Sequence, residues 1–254
     1  MKVWLGVLYN KLFFMPVLRL YKSIGRTPLE VINEYKDKNK TTIEKISYAG
    51  RLDPMAEGQL LVLTNQDCLR QNDYHNLDKT YRFEIMFGIS TDTYDMLGII
   101  EQNTIINSDN SLADIMEYIA GYVGKHIQPY PPFSSVRVDG NPLWYYARNG
   151  TLDTITIPEK SIEIYSSEII EKYVIDSELL KANVIHNINQ VSQCYNFRQN
   201  AIKERWRCIK LAKYPVIHIE MRVSSGTYIR VICRHIEEMF GIPAMILSIN
   251  RSTI

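Results

Sequence analysis

The chain has 254 residues, 46% of them hydrophobic and 11% aromatic, which is enough apolar material for one large core or two small ones. Its formal net charge of +1 excludes a uniformly basic or acidic protein, and no low-complexity stretch or internal repeat interrupts it. Residues 1–50 nevertheless carry nine Lys and Arg against four Asp and Glu, which is compatible with a local phosphate-binding face.

The N-terminal segment is apolar and basic. Residues 1–29 contain five bases and no acid, a composition also found in targeting peptides. Asn10, Lys11 and Arg19 interrupt the apolar run too often for a membrane span. We therefore predict an edge strand and a cytoplasmic protein, while an organellar transit segment over residues 1–20 stays open.

A helix and a glycine-bracketed turn follow. Residues 27–30 form a capping box with proline at the first helical position, which predicts a helix over residues 28–35. Asp53 lies between Gly50 and Gly58 and precedes a proline, so its backbone has little freedom. Such a turn, placed before an apolar strand, presents its carboxylate instead of burying it.

Periodicity predicts the next two elements. Residues 81–87 alternate apolar and polar side chains, which indicates a strand with one buried face. Ser111 and Asp114 form a second capping signal, ahead of an apolar stripe that ends at Gly121.

Residues 177–212 carry two apolar helix faces, which predict a helical hairpin. Six basic residues cluster toward the end of this segment or directly after it: Arg198, Lys203, Arg205, Arg207, Lys210 and Lys213. Tyr195, Phe197 and Trp206 are interleaved with them. Basic and aromatic character together suit RNA binding, and a solvated amphipathic helix explains the same pattern equally well.

The last predicted elements are a strand over residues 216–223 and a helix from residue 229 that stops at Gly241. Antiparallel-looking strands interleaved with helices at irregular spacing indicate an α+β fold.

The four cysteines form no metal-binding pattern. Cys68, Cys194, Cys208 and Cys233 have no C-x-x-C pairing and no histidine spacing suited to zinc. We interpret them as reduced core thiols and expect no metal.

Several segments match, in order, the sequence motifs of one enzyme family. Residues 48–58 fit the signature G-x-L-D-P-x-A-x-G. The other matching segments are, in order, KSIGRT at 22–27, DKTY at 78–81, GISTDTYDMLG at 88–98, PPFSSVRVDG at 131–140, LWYYARNG at 143–150, SSGTYIR at 224–230 and INR at 249–251. Each is weak alone, but their common order makes chance an implausible explanation. Together they resemble the TruB family of tRNA pseudouridine-55 synthases.

The resemblance implies a pseudouridine synthase fold, with a largely antiparallel mixed sheet, flanking helices and a central catalytic cleft. It makes Asp53 the nucleophile that converts uridine to pseudouridine, Arg230 its ionic partner and Tyr81 the ring that stacks on the target base. The further substrate-binding residues that we assign are Lys22, Tyr48, Arg51, Tyr228, Ile249, Lys203, Arg205, Arg207 and Lys210. The reaction requires no cofactor, and the target base must be flipped out of its stack. Attack at C1′, attack at C6 and elimination through a glycal all stay open.

The chain departs from the family pattern at several positions. Tyr48 replaces the usual histidine and Arg51 a small residue, while Ser23 and Phe133 replace proline and tyrosine. We expect residues 1–254 to form one catalytic domain without the C-terminal PUA domain, and residues 177–212 to be an insertion relative to the family.

Three functions are compatible with these motifs. The preferred one is a stand-alone, monomeric synthase that binds the T-arm of tRNA and neither a membrane nor a small-molecule cofactor. The alternatives are a guide-RNA-dependent synthase of the box H/ACA type and a non-catalytic RNA-binding or tRNA-folding protein. Asp53, Tyr81 and Arg230 together argue against a pure binder, which has no use for a carboxylate near phosphates.

Overall fold

The computed structural model describes residues 17–106 and 109–254, and the N-terminal predictions for residues 1–16 lie outside this part of the chain. The strands are β1 (Leu18–Lys22), β2 (Ile46–Ala49), β3 (Ala56–Thr64), β4 (Lys79–Phe87), β5 (Ile89–Thr91), β6 (Ile100–Asn103), β7 (Gly124–Pro129), β8 (Arg137–Val138), β9 (Asn141–Pro142), β10 (Glu159–Asp176), β11 (Lys213–Val223) and β12 (Ala244–Thr253). The α-helices are α1 (Pro28–Lys38), α2 (Gln71–His75), α3 (Asp109–Ala120), α4 (Leu143–Asn149), α5 (Ser177–Gln190), α6 (Gln199–Arg207) and α7 (Ile229–Phe240).

One eight-stranded sheet organises the fold. Its order is β1-β3-β12-β4-β11-β10-β7, with β2 also paired to β3. Every pair in this sheet is antiparallel except β3 and β12, which run parallel. The predicted α+β class with a mixed, largely antiparallel sheet is confirmed. Among the described residues β1 lies at one end of the sheet, and most of the segment for which an edge strand was predicted lies outside them.

Both faces of the sheet are covered. On one face Phe83 and Ile85 pack with α3 and α7, and on the other Met86 packs with α5 and α6. The prediction of one buried face for β4 was therefore wrong at its C-terminal end, where Met86 has no solvent exposure. The two helices between β10 and β11 cover a face that alternation alone leaves to solvent.

The predicted helices are present, but some of their boundaries differ from the prediction. Thr27 Oγ1 accepts from the Glu30 amide at 3.3 Å, and Glu30 Oε2 accepts from the Thr27 amide at 2.6 Å, so α1 has the predicted capping box. It runs three residues beyond the predicted end at residue 35. The helix α3 starts at Asp109, so Ser111 lies inside it. The prediction that Ser111 caps this helix was therefore wrong. The helix α7 ends before Gly241, which has φ +66°.

Residues 177–212 contain α5 and α6. Leu180, Val184 and Ile188 on α5 and Ile202 and Trp206 on α6 have no solvent exposure, so the predicted apolar faces are buried. The absence of a PUA domain and the status of this segment as an insertion stay predictions.

The four cysteines differ in their exposure to solvent. Cys233 is buried, but Cys194 and Cys208 are exposed and Cys68 is half-buried, so interpreting all four as core thiols was wrong. Cys194 lies in the loop between α5 and α6, and Cys208 follows the end of α6.

Within the described residues, each helix is too short or too polar to cross a lipid bilayer.

Candidate active site

The turn that carries Asp53 joins β2 to β3 and is held by two buried cations. Lys22 has no solvent exposure, and its Nζ donates to the carbonyl of Pro54 at 3.4 Å. Arg251 is equally buried and donates to the carbonyls of Gly50 and Arg51, each at 3.2 Å. Because both flanks of Asp53 are fixed through backbone oxygens, its position depends on strands at opposite ends of the chain.

The two glycines of this turn serve different needs. Gly50 has φ +81°, a left-handed conformation that side chains disfavour, and a Cβ there would lie 3.3 Å from Arg251 Nη1. Gly58 has φ +117° and pairs with Arg251 across the parallel strands, where a Cβ would lie 2.4 Å from the Arg251 carbonyl oxygen. The glycines therefore allow the backbone to approach Arg251 on both sides of the turn.

Arg230 connects Asp53 to a second carboxylate. Its Nε lies 2.8 Å from Asp53 Oδ2 and 3.7 Å from Asp95 Oδ2. Its other nitrogens donate to the carbonyls of Thr93 at 2.7 Å and Phe133 at 3.4 Å. A lysine could not make this set of contacts, because they use the planar fork of the guanidinium.

The electrostatics of this group follow from burial. The Arg230 and Asp95 side chains are 4% and 8% exposed, whereas that of Asp53 is 30% exposed. Burial raises the pKa of Asp95, opposed by Arg230 and by the Thr93 hydroxyl. The two carboxylates raise the pKa of Arg230 although burial opposes them. Asp53 is thus the solvent-accessible carboxylate of a group whose other members are enclosed.

One oxygen of Asp53 is available for chemistry. Oδ2 accepts from Arg230, while within residues 17–106 and 109–254 no hydrogen bond to Oδ1 is formed. A fixed cation on one oxygen and a free second oxygen are what a carboxylate nucleophile or base needs.

Asp53 and Arg230 line a cavity of about 560 Å³, a size typical of ligand sites. It is bounded by the start of α1, the Asp53 turn, residues 93–97, residues 133–135, α4, the α5–α6 loop and Tyr228. Tyr228 is held on both sides of its peptide by Gln128, which accepts from its amide at 2.8 Å and donates to its carbonyl at 3.1 Å.

The structure gathers five of the residues predicted from sequence at this cavity: Tyr48, Arg51, Asp53, Tyr228 and Arg230. Arg51 is exposed, and its guanidinium contacts the Ser135 hydroxyl.

Three other predicted residues are buried and do not line the cavity. Tyr81 and Ile249 are each 7% exposed and belong to the core, because β4 and β12 are central strands. Burial raises the pKa of Tyr81, and Arg251 beside it opposes the rise. Lys22 holds backbone carbonyls and makes no contact with the cavity, so its assignment as a substrate-binding residue is corrected to that of a structural clamp.

The predicted basic cluster also lies away from the cavity. Arg205, Arg207 and Lys210 are exposed, and Lys203 donates to Asn189 at 3.2 Å. Arg198 behaves differently, because it reaches the cavity and pairs with Asp92.

Sequence reasoning missed the roles of Asp95, Thr93 and Arg251. Asp95 and Thr93 were visible as part of the T-D-T-x-D segment, and Arg251 as the end of the closing motif. A charged residue in a turn or near a strand end could have drawn attention to them, because a charge that is buried needs a partner. The sequence does not identify that partner.

Comparison with known proteins adds independent findings. A sequence profile described as TruB family pseudouridylate synthase (N terminal domain) matches residues 38–187. The tRNA pseudouridine synthase B of Thermosipho melanesiensis is 28% identical over 242 residues, which are 94% of this chain and 64% of that protein. That of Blochmanniella floridana is 29% identical over 237 residues, which are 92% of this chain and 74% of that protein. The chain thus spans less than two thirds of the length of the Thermosipho protein.

Solved structures share the fold. A Cbf5-Nop10-Gar1 complex matches with a TM-score of 0.55 and 17% identity, over 92% of this chain and 47% of that one. An H/ACA RNP bound to a substrate RNA containing 2'-deoxyuridine matches with a TM-score of 0.51 and 17% identity, over 92% and 46%. At this identity the likeness concerns the architecture alone.

Proposed function

Because this chain belongs to the TruB family of pseudouridylate synthases, we propose that it isomerises uridine to pseudouridine in tRNA, with the T-loop uridine at position 55 as its target. The observation that carries the proposal is the Asp53–Arg230 pair at 2.8 Å in a cavity of ligand size. The relatives named tRNA pseudouridine synthase B support the choice of tRNA.

The reaction breaks the bond from ribose C1′ to N1 of uracil and forms one from C1′ to C5. The proton leaves C5 and N1 gains one, so atoms and charge balance without an oxidant or energy donor. We propose that Asp53 supplies Oδ1 as the nucleophile or base while Arg230 orients the carboxylate through Oδ2. Attack at C1′, attack at C6 and elimination through a glycal all use this oxygen.

Uridine reaches this oxygen only when it is turned out of its stack, at a cost of about a few kcal/mol. The cavity offers Tyr48 and Tyr228 as ring surfaces beside Asp53. Tyr81 is 7% exposed and does not line the cavity, so its stacking on the uracil ring is proposed from the family resemblance alone.

Further contacts with the substrate are proposed from the positive charge of exposed side chains. Arg51 lies exposed at the cavity, where it can bind a phosphate of the flipped nucleotide. Three exposed basic side chains on and after α6 can add phosphate contacts at a distance from Asp53. They are Arg205, Arg207 and Lys210.

The direct test is incubation of the purified protein alone with an unmodified tRNA transcript, followed by mapping of pseudouridine. We expect pseudouridine in the T-loop and none in a transcript whose target uridine is changed to cytidine. Formation only after a guide RNA is added would favour the guide-dependent alternative. Binding without any isomerisation would favour the non-catalytic one.

A further inference from the structure

The loop that joins α5 to α6 forms a wall of the active-site cavity. Residues 194–198 all line it, together with Trp144 and Arg148 of α4. The two segments touch there, because the Arg148 guanidinium donates to the Asn196 carbonyl. The chemistry proposed for Asp53 makes no use of this wall.

The conformation of the loop is fixed from below by one side chain. Gln199 is 5% exposed, and its Nε2 donates to the carbonyls of Ser192 at 3.2 Å and Tyr195 at 2.9 Å. Its Oε1 accepts from the Phe197 amide at 3.0 Å. A buried amide that satisfies three backbone groups makes the loop a pre-organised surface.

Arg198 fastens this surface to the catalytic group. It has φ +64°, a left-handed conformation uncommon for a residue other than glycine. Its nitrogens lie 2.5 and 3.1 Å from the two Asp92 oxygens, and its guanidinium lies 4.5 Å from the centre of the Phe133 ring. Asp92 precedes Thr93, whose carbonyl accepts from Arg230, so the wall and the Asp53 partner share one segment.

The wall combines ring surfaces with uncompensated positive charge. The rings of Tyr195 and Phe197 lie 5.8 Å apart, and Arg148 lies 5.5 Å from the Trp144 ring. Within residues 17–106 and 109–254, no carboxylate is within ion-pair distance of Arg148. Stacking surfaces beside a guanidinium that lacks an ion-pair partner among the described residues are suited to a nucleotide, whose base and phosphate need these two kinds of contact.

We propose that this wall is a second nucleotide subsite, where Tyr195 and Phe197 stack on the base adjacent to the target uridine and Arg148 binds a phosphate of the same nucleotide. A flipped uridine leaves its neighbour with one unstacked face, and the wall covers that face. The inference rests on the proposed function, because it assumes that a single RNA strand occupies the cavity.

The test compares Tyr195→Ala with Tyr145→Ala, a matched tyrosine that is exposed on α4 and lies outside the cavity. Dissociation constants are measured for an unmodified T-arm stem-loop, and for the same RNA with an abasic ribose in place of either neighbour of the target. We expect Tyr195→Ala to bind the intact RNA about five- to hundredfold more weakly, with Tyr145→Ala unchanged. The abasic RNA that lacks the stacked base should bind wild type more weakly and show little further loss with Tyr195→Ala.

Unchanged affinity in Tyr195→Ala, or equal losses for wild type and variant on both abasic RNAs, would overturn the proposal. Phe197→Leu keeps an apolar side chain in contact with the core and serves as a second variant, with thermal melting to show that both fold. Because the readout is affinity, it does not depend on turnover. A protein that binds the intact RNA as proposed but forms no pseudouridine would refute the proposed function and leave the subsite standing.

Discussion

Gly58 and Arg251 are paired so closely across β3 and β12 that a Cβ at Gly58 would lie 2.4 Å from the Arg251 carbonyl oxygen. The Arg251 side chain then donates to the carbonyls of Gly50 and Arg51, just ahead of Asp53. The parallel pair thereby fixes the turn that presents the carboxylate.

Gly58→Ala tests this close approach. Gly140→Ala is the matched control, because Gly140 also has a positive φ, +85°, but nothing lies within 4 Å of a Cβ there. We expect Gly140→Ala to lower the free energy of unfolding by about 1–2 kcal/mol through backbone strain alone. Gly58→Ala should cost about 2 kcal/mol more, because two backbones must separate. Denaturant unfolding measures both, and equal losses would show that β12 can move away without penalty.

Lys22 makes stability depend on pH in the alkaline range. Burial lowers its pKa from 10.5 to about 8, with Asp53 opposing the shift. Between these values the unfolded chain holds a proton on Lys22 that the folded chain has lost, so the contribution of Lys22 to stability rises with pH. We expect the stability of wild type relative to Lys22→Met to increase by up to about 3 kcal/mol from pH 7 to pH 10.

Lys40→Met is the control for this pH series, since Lys40 is exposed. Comparison with Lys40→Met separates the effect of burying a lysine from the loss of one lysine charge. A constant difference between wild type and Lys22→Met would mean that Lys22 does not lose its proton in the folded state in this range.

The basic side chains of α6 and of the residues after it test whether RNA is also bound at a distance from the cavity. We expect joint Ala substitution of Lys203, Arg205, Arg207 and Lys210 to weaken T-arm binding and to reduce the slope of log affinity against log salt by roughly one unit per lost phosphate contact. The rate of the chemical step on bound RNA should stay the same, because none of the four lines the cavity. An unaltered affinity and slope would identify this surface as a solvated helix face.

Arg230→Lys separates charge from geometry. Lysine keeps the positive charge but cannot bond Asp53 and the carbonyls of Thr93 and Phe133 together. We expect the rate of the chemical step to fall at least about a hundredfold, with RNA affinity nearly unchanged. Arg234→Lys is the control, since Arg234 lies one turn further along α7 and pairs with Glu237 and Glu238. Comparable rates for the two variants would refute the orienting role of Arg230.

The sequence predicted the elements and motifs that are local. The capping box of α1, the alternation of β4 and the glycine that ends α7 each depend on residues within a few positions of one another. The pairing of Asp53 with Arg230 was predicted as well, but only through the family resemblance, since 177 positions separate them.

What the sequence did not predict depends on distant contacts. Lys22 looked like a basic residue beside the cleft, yet it is fully buried and donates to the carbonyls of Ser23, Arg26 and Pro54, the last of them 32 positions away. Arg198 looked like one base of a cluster, but the turn it adopts at φ +64° directs it to Asp92 and into the cavity. Charge patterns locate such residues on an element and do not identify the buried group that binds them.

Asp53→Asn provides the most direct measurement of the central claim. Asparagine keeps the shape of the side chain but cannot act as a nucleophile or base. With enzyme in excess over an unmodified tRNA transcript, we predict no detectable pseudouridine and an RNA affinity within about threefold of wild type. The control is Asp153→Asn, an exposed carboxylate outside the cavity, which should turn over like wild type. Pseudouridine formation by Asp53→Asn at a rate within about tenfold of wild type would contradict the assignment of Asp53.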